Sequence, residues 1–134
     1  MAGAEAVLTP DFSLYRDHPL AIQIWNTYRN RWLGARWQQL GMTVIPTVGW
    51  SNEQSHAFAF AGIAIGSVVA ISTVGTNAEA RRDTTTARLF EAGYRALVDA
   101  VRPRSVLVYG ERFPDRLACL APVVMFSPRT TSMR

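Results

Sequence analysis

Apolar and polar positions alternate between two regimes along the chain. Four runs are continuously apolar and rich in β-branched residues: Met42–Val48, Ser67–Val74, Ser105–Tyr109 and Val123–Phe126. Such runs, bounded by Gly, Pro, Ser and Asn, predict strands buried on both faces. Between them lie segments of helical period. His18–Leu40 predicts a long helix that stops at Gly41, with Asp17 as its cap and Pro19 in its first turn; Ala78–Val101 predicts a second, ended by Pro103. Phe90, Tyr94, Leu97 and Val101 form one stripe of that second helix, and Arg88, Glu91, Arg95 and Asp99 sit on its polar side. Phe113–Leu120 predicts a short helix, Thr9–Tyr15 an extended segment, and His56–Phe60 an edge strand.

Continuous apolar strands separated by crossover-length helices predict an α/β fold. It is built on a mostly parallel sheet of about four to five strands, in a three-layer or half-barrel-like arrangement. At 134 residues the chain is sized for a single domain, with ragged ends at 1–7 and 129–134. A full eight-unit barrel needs about 250 residues, so this length reaches one only if two chains complete each other, as in a homodimer.

In parallel sheets, ligands gather where loops leave the carboxyl ends of the strands. That rule nominates Asp11, Trp50, Asn52, Thr76, Asn77, Tyr109 and Glu111 as a polar rim with an aromatic wall. The Gly75-Thr76-Asn77 turn reads equally as turn chemistry or as a helix start that holds an anion. Placing the first helix at about 100° per residue puts Arg31 and Gln38 inside an arc formed by Leu20, Ile24, Tyr28 and Ala35. A guanidinium there requires a carboxylate or backbone carbonyls for its donors, which predicts a partner such as Asp11 or Glu111. Another arc carries Trp25 and Trp32 flanked by Arg29 and Arg36, a combination that suits a protein interface or stacked bases when exposed. If buried, the same indoles would cover the sheet.

Composition narrows the functions further. All 14 basic residues are arginine, and the net charge is +4. Their dispersal along the chain disfavours a dedicated nucleic-acid binder, which concentrates its charge. The lone Cys119 excludes an internal disulfide and, from its stripe with Leu117 and Leu120, is expected to be a core thiol in a cytoplasmic protein. One cysteine and two histidines without metal spacing give no metal site, and no cofactor motif or catalytic signature is present. No run reaches the roughly 20 apolar residues of a membrane span.

The segments Pro10-Asp11-Phe12-Ser13-Leu14-Tyr15, Ile24-Trp25-Asn26-Thr27-Tyr28-Arg29-Asn30-Arg31 and Val44-Ile45-Pro46-Thr47-Val48-Gly49-Trp50 resemble an uncharacterised domain family recurrent in bacteriophages, prophages and plasmids. Phe58–Ile63, Val69–Gly75, Phe90–Tyr94 and Val108–Gly110 extend the resemblance over nearly the whole chain. It implies an α/β fold of mobile-element origin. Ala61 stands where the family's F-D-G pattern carries an aspartate, a departure that would remove chemistry and leave binding. The expected partner is a host protein met through the Trp25/Arg29/Trp32/Arg36 surface; a nucleotide or other anionic small molecule at the rim, and a nucleic acid, are the alternatives.

Overall fold

The computed structural model of the chain describes residues 6–12, 14–73, 84–110 and 112–126. Thr76, Asn77 and Glu111 of the expected rim therefore lie outside the described residues, as does the start of the helix expected from Ala78. Strand β1 (Ala6–Leu8) is followed by helix α1 (Leu20–Gln39) and strand β2 (Thr43–Ile45). A 3-10 turn (Glu53–Ser55) and helix α2 (His56–Ala59) lead to strand β3 (Val68–Ser72). Helix α3 (Thr84–Val101), strand β4 (Ser105–Tyr109), helix α4 (Asp115–Ala118) and strand β5 (Val123–Phe126) complete the order.

Every described strand pair is parallel, and the strands form two sheets, β1-β2 and β3-β4-β5. β1 pairs with β2 with Leu8 opposite Ile45; β3 pairs with β4 with Ala70 opposite Leu107; β4 pairs with β5 with Leu107 opposite Val124. A parallel bridge between Thr47 and Ala70 joins the two groups, with Ala70 N–H donating to Pro46 O at 2.9 Å and Val48 N–H to Ala70 O at 2.8 Å. Pro46 cannot donate to a ladder, which is why β2 stops at Ile45 and resumes only as this bridge.

The main core lies between β3, β4 and α3. Val69, Ile71, Val106 and Val108 meet the expected stripe Phe90, Tyr94, Leu97 and Val101, with Val48 and Leu117 closing the sides. Burial of each such aliphatic side chain stabilises by about 1.5–3 kcal/mol, so this layer anchors the fold.

Helix α1 is attached differently, and here the sequence expectation fails. Its buried residues are Gln23, Thr27, Asn30 and Gly34, spaced four, three and four apart. Leu20, Ile24, Tyr28 and Ala35, expected to face inward, are exposed, and so is Gln38. Small and amide side chains win the inner face because they hydrogen-bond across it. Asn30 Nδ2 donates to Thr9 Oγ1 at 2.8 Å and to Pro10 O at 2.7 Å, and Thr47 N–H donates to the same Thr9 hydroxyl at 2.8 Å. Gln23 Nε2 donates to His18 O at 3.0 Å while Gln23 Oε1 accepts from Ser51 Oγ at 2.5 Å. Gly34 lets the helix come close, since a Cβ there would sit 3.1 Å from Thr9 Cγ2. The helix begins at Leu20 with Pro19 in the cap position and no side-chain cap, so Asp17 does not serve as expected. At the other end Gly41 (φ +90°) closes the helix: Met42 N–H donates to Trp37 O and Gly41 N–H to Gln38 O.

Two further expectations are corrected. His56–Phe60 is helical because Asn52 Oδ1 accepts from Gln54 N–H and Ser55 Oγ donates to Asn52 O, which together turn the chain. Cys119 is exposed: α4 ends at Ala118, and of that stripe Leu117 is buried in the core and Leu120 packs against it while the thiol faces out.

Candidate functional site

Two features stand out. The first is a cleft of roughly 550 Å³ at the carboxyl ends of β1, β2 and β3. Tyr15, Arg16 and Asp17 supply one wall, Gly49, Trp50 and Ser51 the floor, and Ser72, Thr86 and Phe90 the far side. The floor is fixed by aromatic packing. Trp50 lies 5.5 Å from Phe90 and 6.1 Å from Phe60, and its indole crosses α3 at Gly93, where any Cβ would overlap the ring. Ser51 is immobilised by its hydroxyl's bond to Gln23 and by its N–H donating to Ser55 Oγ at 2.9 Å.

Asp11 opens into this cleft beside Gly49. Its residue keeps solvent access, yet desolvation by the surrounding wall raises its carboxyl pKa above the ordinary value. No described side chain offers it a hydrogen bond or a salt bridge. Among the described residues the charged groups lining the cleft are Asp11, Arg16 and Asp17, and Arg16 Nη1 donates to Thr86 Oγ1 at 3.4 Å.

Of the nominated rim residues, the structure brings together Asp11 and Trp50. Arg31 is elsewhere: its Nε donates to Ala61 O at 2.8 Å, one Nη to Asn30 Oδ1 at 2.7 Å and the other to Ala59 O. The guanidinium thus closes the turn after α2 through carbonyls rather than through Asp11. Desolvation lowers its pKa to about 10. Asn52 caps the 3-10 turn. Tyr109 packs at a tilt against Phe126, ring centroids 5.2 Å apart, and stays out of the cleft lining. Tyr15, Arg16 and Asp17 were not nominated; the same strand-end rule, carried four to six residues past Asp11, would have found them.

The second feature is the outer face of α1. Trp25, Tyr28 and Trp32 are 52%, 54% and 55% exposed, opposite the buried Gln23–Gly34 row. Trp25 stacks on Tyr28 with ring centroids 5.5 Å apart. Arg29 lies 4.3 Å over the Phe12 ring and donates to Asn26 Oδ1 at 2.7 Å; Arg36 is exposed one turn beyond Trp32. Helix α1 carries three arginines and no acidic residue, so this aromatic ridge is purely cationic. Large exposed aromatic clusters of this kind mark binding surfaces.

Among the described residues no group of three or more His, Cys, Asp or Glu side chains could hold a metal ion, and no helix is long and apolar enough to cross a membrane.

These features define a parallel α/β domain with a strand-end cleft and an exposed cationic aromatic helix. Residues 1–126 match the family described as Domain of unknown function (DUF4417), and the chain belongs to it. It is similar to the Gene 1 protein of Mycobacterium phage L5, 46% identical over 106 residues that cover 79% of this chain and 44% of the phage protein. It is also similar to the Gene 1 protein of Mycobacterium phage D29, 47% identical over 105 residues that cover 78% and 37%. The chain spans less than half the length of these relatives. It is thus a phage-associated protein, as the motif resemblance implied. No solved structure matches it.

Proposed function

We propose that this chain is a phage accessory protein that binds a host protein through α1, on a partner surface whose apolar strip is bordered by carboxylates. The observation that carries this reading is the inverted packing of α1. The helix spends its polar residues on the sheet and leaves Trp25, Tyr28 and Trp32 outside, which is unfavourable unless a partner takes them up. The exposed Arg29 and Arg36, on a helix without a single acid, set the partner's sign. A protein surface is favoured over nucleic acid because the arginines are dispersed along the chain rather than concentrated in one segment.

Capture from a mycobacterial lysate, the host class of the phage relatives, tests the reading. The wild-type chain should retain one stoichiometric partner that a Trp25→Ala/Trp32→Ala double variant binds at least about tenfold more weakly. Equal retention by both proteins would reject this surface. Capture that is abolished by nuclease treatment would assign the ridge to nucleic acid instead.

The cleft supports a second reading, a small-molecule site. The anionic ligand expected at the rim would need Arg31, which is committed to carbonyls, whereas the unpartnered Asp11 over an indole floor favours a flat ligand with N–H donors. Thermal-shift titration with guanosine against guanosine monophosphate separates the two. Stabilisation by the nucleoside that is lost in Asp11→Asn supports this reading, and stabilisation by the nucleotide alone returns the site to anions.

A further inference from the structure

The buried row of α1, Gln23, Thr27, Asn30 and Gly34, steps by four, three and four residues. The other side of the helix keeps the same step. Ala21, Trp25, Tyr28, Trp32, Ala35 and Gln39 follow one another at intervals of four, three, four, three and four, and all six are exposed. This is the a/d repeat of a coiled coil. Trp25 and Trp32 stand at a, Tyr28 and Ala35 at d, and the four buried residues at the c and f positions that such a helix turns away from its partner. The sheet holds the back of α1, and the seam is open.

The same heptad sorts the arginines. Arg29 and Arg36 are both e residues, exposed along one edge of the seam. Arg31 is a g residue on the other edge and is committed to Ala59 O, Ala61 O and Asn30 Oδ1, while the remaining g residues, Ile24 and Gln38, are uncharged. One edge is cationic and the other is spoken for. In coiled coils the e and g charges choose the partner through opposite charges across the seam.

We propose, resting on the reading of α1 as a host-protein surface, that its partner is a single amphipathic helix whose apolar seam is bordered on one edge by carboxylates seven residues apart. Spacing selects a helix over a strand. Arg29 and Arg36 are seven residues, about 10.5 Å, apart along the axis, a step that a second helix repeats on one edge with residues i and i+7. In a strand, residues on one face are about 6.6 or 13.2 Å apart, and the step of about 10 Å falls on opposite faces. Charge excludes a second α1. Pairing two would set arginines beside arginines with no acid on either helix. Size shapes the partner's seam: the indoles of Trp25 and Trp32 need small residues opposite, whereas Ala21 and Ala35 leave room for leucine near the ends.

A library of 21-residue helices on a stable helical scaffold, randomised at the seam and both edges, selects binders to the full chain without presupposing a sequence. Helices selected by the wild type should carry Asp or Glu at i and i+7 on one edge, with small residues at the centre of the seam. A selected helix, made as a labelled peptide, should bind Trp25→Ala/Trp32→Ala at least about tenfold more weakly by fluorescence anisotropy. Arg29→Glu/Arg36→Glu, with unchanged far-UV circular dichroism, should lose that peptide by a similar factor and select Lys or Arg in the same column. Arg36→Glu alone, which leaves Arg29 on Phe12, should weaken the peptide at least about threefold and decides the matter if the double variant unfolds. Acids scattered off one i, i+7 column, a charge-swapped protein that still selects acids, or no helix that depends on the tryptophans overturns the proposal. Lysate capture separates it from the reading beneath it. A host partner lost in the tryptophan variant and kept undiminished by folded Arg29→Glu/Arg36→Glu would leave α1 as the surface and overturn the acid-edged helix.

Discussion

Tyr94 sits in the centre of the main core, fully buried, 5.0 Å from the Phe113 ring, and its hydroxyl has no hydrogen-bond partner among the described residues. An unpaired buried hydroxyl costs about 1–3 kcal/mol of desolvation, and replacing it by C–H leaves a void smaller than a methyl group. Tyr94→Phe should therefore stabilise the chain by about 1–2 kcal/mol at pH 8. Unfolding entropy of about 2.1 cal/mol/K per residue over 134 residues gives about 280 cal/mol/K, so each kcal/mol moves Tm by about 3.5 °C and the gain is about 4–7 °C. The advantage should grow in alkali. Burial pushes the phenol from 10.0 to about 12 in the folded state, so above pH 10 the unfolded chain releases this proton first. A folded pKa above the unfolded one gives stability that is complete below pH 10 and is lost as pH rises towards 12, at up to about 1.4 kcal/mol per pH unit. Phenylalanine has no such loss. Urea unfolding of both proteins at pH 8, 10 and 12 provides the test, and the difference between them cancels every other titrating group. A Tyr94→Phe protein less stable than wild type at pH 8, or a difference that stays constant to pH 12, would mean that the hydroxyl has a partner and would refute the reasoning.

Three other perturbations separate the parts of the fold. Arg31→Met removes the three donors that serve Ala59 O, Ala61 O and Asn30 Oδ1, and should cost about 2–3 kcal/mol by calorimetry, with Arg31→Lys recovering less than half because an ammonium cannot span both carbonyls. Gly93→Ala drives a methyl into the Trp50 indole and should destabilise by about 1–3 kcal/mol while shifting the near-ultraviolet circular dichroism of the tryptophans. Asp11→Asn should leave stability unchanged or slightly raised at pH 7. Desolvation holds the carboxyl pKa up in the folded state, so ionisation above that range works against folding and the amide escapes it; a clear loss in urea melts would mean that Asp11 is structurally paired.

Much of the fold is legible in the sequence because β-branched runs have few alternatives. Ser105–Tyr109 and Val123–Phe126 appear at their expected bounds, and the parallel sheet follows from the lengths of the crossovers. The α3 stripe is equally plain, since its apolar residues have no hydrogen-bonding role to perform. α1 resists the same logic because the rule that apolar positions face inward presumes a hydrophobic interface. Here the interface is made by Asn30, Gln23 and Thr9, whose polar groups are saturated by one another and by backbone. Sequence spacing cannot reveal that saturation, as the partners are 20 or more residues apart for Asn30 and 28 for Gln23 and Ser51. The strand-end rule located the cleft through Asp11 and Trp50 and failed at Asn52, because the same residue type also caps turns. Arg31 takes carbonyls where a carboxylate such as Asp11 or Glu111 was expected, because the turn after α2 brings Ala59 O and Ala61 O, 28 and 30 residues away, against the helix.

The α1 ridge places Arg29 and Arg36 among exposed indoles, so attraction to an acidic partner falls as ionic strength rises while the aromatic contact persists. Host-protein capture repeated at rising salt should therefore weaken in the wild type without vanishing, and should be lost at every salt concentration in Trp25→Ala/Trp32→Ala.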